Sequence, residues 1–379
     1  MKVEQNTWTV NGSAQADGKI ALGDSSQLVL AFGATEKLAQ KSTFDSIRAA
    51  YPKAHVIGCS TAGEIAGTHV LDDSLVVTAA SFAHTRLQTA RVHLDKAEDS
   101  LDAGRKLAKA LPKDGLVHVF VISDGLKVNG TSLVQGLTEN LPANVALTGG
   151  LSGDGARFAQ TLVCSDGHAE PGLITAVGFY GDRLKVGYGS MGGWDPFGPR
   201  RRITRAKGNV LYELDGQSAL SLYKKYLGEH AANLPSSGLL FPLSLITDEN
   251  TAPVVRTILS IDEAAQSMTF AGDLPEGAVA QLMKANFDRL IDGATSAAQS
   301  GASALGKDEA ELAVLISCVG RKLVLKQRIE EEVESVRDVL GADAVLAGFY
   351  SYGEISPFTP TARCELHNQT MTVTTFAEW

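Results

Sequence analysis

One pattern that occurs three times constrains this chain more than any other feature. An apolar run (QLVLAFG, VHVFVIS, LAVLIS) is followed by an amphipathic stretch, a second apolar run and a loop carrying glycine and an acid (CSTAGEI, GGLSGD, FYSYGEI). The distance from the end of the first run to the acid is 31 residues from Gly33 to Glu64, 31 from Ser123 to Asp154 and 37 from Ser317 to Glu354. Self-similarity of this kind marks repeated supersecondary units. A strand, a helix and a strand within about 30 residues form a βαβ crossover, whose strands are parallel and buried on both faces. The helical faces are Phe44, Ile47 and Tyr51, then Leu133, Leu137 and Leu141, then Ile329, Val333, Val336 and Leu340. After each loop the apolar period becomes two, which predicts further antiparallel strands.

The expected fold class is therefore α/β (α+β), with two domains and mixed sheets built from repeated βαβ-plus-antiparallel-strand units. Residues 1–24 form an N-terminal segment, 25–217 a domain with two units, and 218–379 a domain with one unit and an inserted helical segment. In that insertion Val279, Leu282, Met283, Phe287, Leu290 and Ile291 lie at helical spacing and predict one amphipathic helix. The stretch GATSAAQSGASALGKD after it reads as a weak helix or a connector.

Charge and cysteine content exclude several classes. Asp and Glu exceed Lys and Arg by 43 to 34, and the net charge of -9 opposes binding to nucleic acid or an anionic membrane. The N-terminus lacks a signal-peptide pattern and no apolar run approaches the length of a membrane span, so a soluble cytoplasmic protein is expected. Cys59, Cys164, Cys318 and Cys364 are far apart, without C-x-x-C, which argues against structural zinc, iron–sulfur clusters and covalent haem.

Glycine is over-represented, at 38 residues where about 27 would be usual. Fourteen of these glycines fall in segments 58–67, 148–155, 187–198 and 348–354. Loops at the carboxyl ends of parallel strands form the ligand crevice of open α/β sheets, so these segments are expected to converge on one or two clefts. The alternative is that Gly63, Gly153 and Gly353 supply backbone freedom while Glu64, Asp154 and Glu354 cap turns.

Other motifs are weaker. GYGSMG fits G-x-G-x-x-G, but no helix follows it to receive a pyrophosphate. GCSTAG has the spacing G-x-S-x-x-G and so departs from a nucleophile elbow at Cys59 or Ser60. PRRRITRAK carries five basic residues in nine positions and reads either as a solvated turn or as an anion clamp or docking patch. Of the histidines, His118 and His367 lie in strand patterns beside the candidate loops, where the choice is between a satisfied core residue and a ligand.

At these loops the sequence resembles the FIST sensory family. The matching stretches are GCSTAGEI, ISDGLKVNGTSLVQGL, TGGLSGDGARF, GSMGGWDPFG, GNVLYELDGQSAL, CVGRKLVL, GFYSYGEISPF and CELHNQTMT, in order from about residue 28 to 375. The resemblance covers what look like FIST N and FIST C domains. It implies signal sensing without catalysis, and a stand-alone chain resembles the haem-binding, nitric-oxide-sensing branch that regulates a partner histidine kinase in two-component signalling. Any haem would be a non-covalent haem b, with His118 and His367 as candidate axial ligands. The ligand-binding positions implied are Cys59, Ser60, Thr61, Gly63, Glu64, Asp124, Asn129, Gly150, Gly153, Asp154, Trp194, Tyr350, Tyr352, Glu354 and Asn368. Two other readings stay open: a sensor of an amino acid or other small polar metabolite, with Glu64 and Glu354 suited to an ammonium group, and an enzyme acting through Cys59 or Ser60. A second copy of the chain is also admitted as a partner.

Overall fold

The structure is a computed structural model that describes residues 1–11, 13–94, 96–247, 253–358 and 362–379. All three repeats form. Leu28–Gly33 runs parallel to His55–Ser60, Leu116–Ser123 to Ala146–Leu151, and Leu312–Cys318 to Val345–Ser351. The first strand of each pair also takes an antiparallel neighbour from after the loop: Leu75–Ser81, Leu173–Tyr180 and Met371–Glu378. Their near-continuous burial explains the unbroken apolar runs, because both faces of each sheet are covered.

The units then exchange strands in a circle. Glu64–Ala66, from the first unit, pairs with Val345–Ser351 of the third. Gly353–Pro357, from the third, pairs with Ala146–Leu151 of the second, and Val163–Ser165, from the second, pairs with His55–Ser60 of the first. The loops close the same circle through their backbones: Ala62 N donates to Tyr350 O (2.8 Å), Tyr352 N to Leu151 O (3.2 Å) and Gly153 N to Ser60 O (2.9 Å). Strands from both sides of the expected division between residues 217 and 218 also share a sheet. Trp194–Lys207, Val210–Leu214, Ser267–Phe270 and Val279–Ala285 belong to one inserted eight-stranded sheet that spans it.

The parallel strand pair within each unit accounts for three glycines. A Cβ on Gly58, Gly149 or Gly348 would lie 1.9, 1.8 or 1.9 Å from the carbonyl oxygen of Ala31, Val121 or Leu315 on the neighbouring strand. These residues permit close strand contact. The segment 187–198 also departs from expectation, since it is strand and not a loop of the crevice. Gly187 and Gly189 let it pass against the carbonyls of Gly301 and Ala297.

Those carbonyls belong to the helix Phe287–Leu305, which replaces the helix expected from Val279 onward. Residues Val279–Ala285 are instead a strand, with Ala280 and Leu282 buried, and Asn286 caps the helix by accepting from Arg289 N. The helix includes most of the expected weak segment, because small residues (Gly293, Ala294, Ala297, Ala298, Gly301) bring it close to the sheet. PRRRITRAK lies on Trp194–Lys207, where Arg201 pairs with Asp215 and Arg205 with Glu213. Among the described residues no helix is long and apolar enough to cross a membrane.

Candidate functional site

The three loops meet at one end of the sheets, as their positions after parallel strands require. Most of the acids there hold backbone. Glu64 accepts from Thr61 Oγ1, from Ser74 N (3.2 Å) and from Ser74 Oγ (2.5 Å). Glu354 repeats this arrangement with Ser351 Oγ (2.6 Å), Thr370 N (3.1 Å) and Thr370 Oγ1 (3.0 Å). In the second unit the corresponding carboxylate is Asp124, which accepts from Leu126 N, Lys127 N and Gly172 N. Ser74, Gly172 and Thr370 each stand immediately before the antiparallel strand of their unit, so one carboxylate fixes the start of each.

The other expected residues are distributed as follows. Asp154 accepts from Phe158 N, Ala159 N, Gln160 N and the Tyr352 hydroxyl. Ser60 Oγ accepts from Leu162 N, Tyr350 donates to Glu332, and Trp194 Nε1 donates to Gln369 O. Asn368 Nδ2 reaches Tyr352 O, and its Oδ1 is buried without a partner. Asn129 caps the helix Gly130–Thr138 and also donates to Asp273 Oδ1 of the insertion (3.0 Å). A Cβ on Gly63 would lie 2.4 Å from Lys322 Nζ, which donates to Ala62 O; one on Gly150 would press on Ile316, and one on Gly153 on Ala62. Cys59 is fully buried, and burial holds its thiol well above the usual range, the opposite of what an activated nucleophile needs.

Burial also shifts the acids, pushing Glu64 up to about 7 and Glu354 up to about 8 against the opposing pull of their hydroxyl partners. The unfolded chain releases these protons near pH 4.3. The protonated, folded form is therefore favoured below that pH, and this contribution is lost as pH rises through 7 to 8. His118 and His367, pushed down by burial to about 3 and about 4, act with the opposite sign only below about pH 6.5. Stability to urea is thus expected to fall between about pH 6.5 and 8, by up to about 1.4 kcal/mol per pH unit for each carboxyl. Glu354→Gln should flatten the profile, whereas a profile that rises over this range would contradict the assignment.

A haem bound through an imidazole needs a ring nitrogen that faces a cavity. His118 Nε2 is 2.9 Å from Thr148 Oγ1, and its ring packs against Phe179 and Phe376. His367 Nε2 donates to Ser356 O (2.8 Å), with its ring edge on Phe358. Each Nδ1 is buried without a partner, but neither histidine lines any of the cavities described below. The surroundings of these two residues do not fit a haem. Among the described residues no group of three His, Cys, Asp or Glu could hold a metal ion.

Two small cavities lie between the loops. One of about 220 Å³ is bordered by Thr61, Gly63, Glu64, Asp72, Asp154 and Arg157, and one of about 170 Å³ by Asn129, Phe158 and Tyr352. Both are below the usual range for ligand cavities, about 300–1,000 Å³. A cleft of about 690 Å³ falls within it. One wall is the helix Gly130–Thr138, and the other is the inserted sheet with strand Cys364–His367. Its lining combines apolar residues such as Val134, Leu245 and Leu366 with Arg256, Asp273 and Glu365. Sequence reasoning missed these polar residues, since PVVRTILSI is an ordinary strand pattern and gives no sign that Arg256 is buried.

Residues 27–217 match the FIST N domain and residues 219–357 the FIST C domain. An uncharacterized protein of Methanocaldococcus jannaschii is 23% identical over 88% of this chain, which spans 66% of that relative's length. An uncharacterized protein of Mycobacterium tuberculosis is 24% identical over 82% of the chain and 81% of its own length. A cyanuric acid hydrolase from A. caulinodans aligns over 100% of this chain and 98% of its own with a TM-score of 0.39 and 9% identity. With both family domains matched in order along one chain, the protein belongs to the FIST family, whose domains are the sensory domains of signal-transduction proteins.

Proposed function

We propose that this protein senses an amino acid or another small polar metabolite, bound in the 690 Å³ cleft between the helix Gly130–Thr138 and the inserted sheet. The observation that carries this reading is that residues of both family matches line the cleft: the helix Gly130–Thr138, Ala206 and Gly208 from the FIST N part, and Leu245, Arg256 and Asp273 from the FIST C part. A ligand there touches both and acts as a sensor input if it favours one of their relative arrangements. Asn129 offers a route for the change, since it caps the helix and bonds Asp273 across the cleft. The output is contact with a partner protein, for which a sensor histidine kinase is the candidate that the family resemblance suggests. The nitric-oxide reading draws no support from His118 or His367, and catalysis draws none from Cys59 or Ser60.

The test is a melting-temperature screen of the full chain against the standard amino acids. At least one is expected to raise the transition, as any ligand selective for the folded state does. Thr138→Trp, which places an indole in the cleft, should abolish that rise. An unchanged response in Thr138→Trp would sink the proposal.

A further inference from the structure

We propose that Arg256 anchors a carboxylate of the molecule that occupies the cleft, an inference that rests on the cleft being the ligand site. Arg256 is only 6% exposed and lines the cavity. Its Nε donates to Asp273 O (3.3 Å), and its Nη1 to Leu366 O (2.9 Å) and Val255 O (3.3 Å), all of them neutral carbonyls. Among the described residues no carboxylate lies within ion-pair distance of it, and Nη2 has no acceptor. Asp273 and Glu365 support its charge only from farther away, and burial brings it down to about 10.

A buried charge without a partner is costly, by several kcal/mol per ion, and its retention in a cavity wall marks a place where the partner comes from outside. The contrast with Arg321 is direct, since that equally buried arginine has its own carboxylate, Glu332, at 2.7 Å. Gly272 supports the same conclusion. A Cβ there would lie 2.7 Å from Arg256 Nε, so the glycine leaves room for the guanidinium in this position. With Nε and Nη1 committed to carbonyls, Nη2 is left to donate a charge-assisted hydrogen bond to a carboxylate. A phosphate dianion suits the cleft less well, because Glu139, Asp273, Glu276 and Glu365 border it alongside Arg256 and Arg363. These acids favour a monoanion that also carries an ammonium or other donor group.

The experiment is calorimetric titration of the full chain with the amino acid that most raises its melting temperature, with the primary carboxamide of that amino acid, and with inorganic phosphate. The acid is expected to bind, and the carboxamide and phosphate at least about thirtyfold more weakly. Arg256→Gln should lose a similar factor. Gly272→Ala, which displaces the guanidinium without removing it, should lose at least about tenfold with folding retained, and it decides the matter if Arg256→Gln does not fold. Equal binding of acid and carboxamide, preferential binding of phosphate, or unchanged affinity in Gly272→Ala overturns the proposal. If Thr138→Trp abolishes binding while both Arg256→Gln and Gly272→Ala retain it, the cleft stands and the anchor falls. If all three variants bind normally, the cleft falls too.

Discussion

Gly348→Ala is expected to cost about 3 kcal/mol or more, and Gly58→Ala and Gly149→Ala to do the same. In each case the new methyl would lie within 1.9 Å of a backbone carbonyl oxygen on the neighbouring parallel strand. Backbone cannot rotate away as a side chain can, so the two strands must separate and the hydrogen bonds between them must stretch. Gly58 and Gly348 should lose similar amounts, because their close contact follows from the repeat, and Gly149, whose φ is +153°, should lose more. Gly67 serves as the control. It has a φ of +59° and open space around its Cβ position, so Gly67→Ala pays only for backbone conformation, about 1–2 kcal/mol. Urea midpoints at constant slope would measure all four. A cost below about 1 kcal/mol at Gly58, Gly149 or Gly348 would contradict the close strand contact.

Glu332→Gln is expected to destabilise the chain by about 3–5 kcal/mol, the range for breaking a buried ion pair. Glu332 and Arg321 are both fully buried, and Glu332 also accepts from Ser317 Oγ (3.1 Å) and the Tyr350 hydroxyl (2.7 Å). Arg321 in turn donates to Gly192 O and Leu290 O, joining the third repeat to the helix Phe287–Leu305 and to the strand entering the insertion. Removing the negative charge leaves a buried guanidinium without its counterion. The double replacement Arg321→Met with Glu332→Leu removes both charges and should recover most of the loss, since a packed apolar pair is often as stable as a buried ion pair. A double variant as unstable as Glu332→Gln would show that the hydrogen bonds to Tyr350, Gly192 and Leu290 matter more than the pairing of charge.

The parallel strand pairs and the meeting of their loops were legible in the sequence because periodicity depends on burial, which the apolar runs report directly. The circular exchange was not. Glu64–Ala66, Gly353–Pro357 and Val163–Ser165 are short strands, and nothing in a segment of that length says which sheet it joins. The helix drawn from Val279 failed because the 3- and 4-residue steps from Val279 to Leu282 and Met283 mimic helical spacing, whereas the strand alternates faces and buries Ala280 and Leu282, and the helix starts only after the capping side chain of Asn286. At the site, the glycine and acid pattern allowed either ligand chemistry or backbone turns and caps, and no local pattern chooses between them. Glycine permits close backbone contact at 58, 149 and 348, and the acids Glu64, Asp124 and Glu354 fix strand starts. Arg256 escaped notice because burial of a lone charge is a tertiary property that no local pattern encodes.

The proposed ligand position is the cleft between the helix Gly130–Thr138 and the inserted sheet. Hydrogen exchange of the full chain, with and without the amino acid that most raises its melting temperature, tests it most directly. Slower exchange is expected at residues 131–139, 254–256, 273–276 and 363–366, which border the cleft, with residues 61–64 unchanged. Slowing confined to 61–64 and 154–157, around the 220 Å³ cavity, would contradict it.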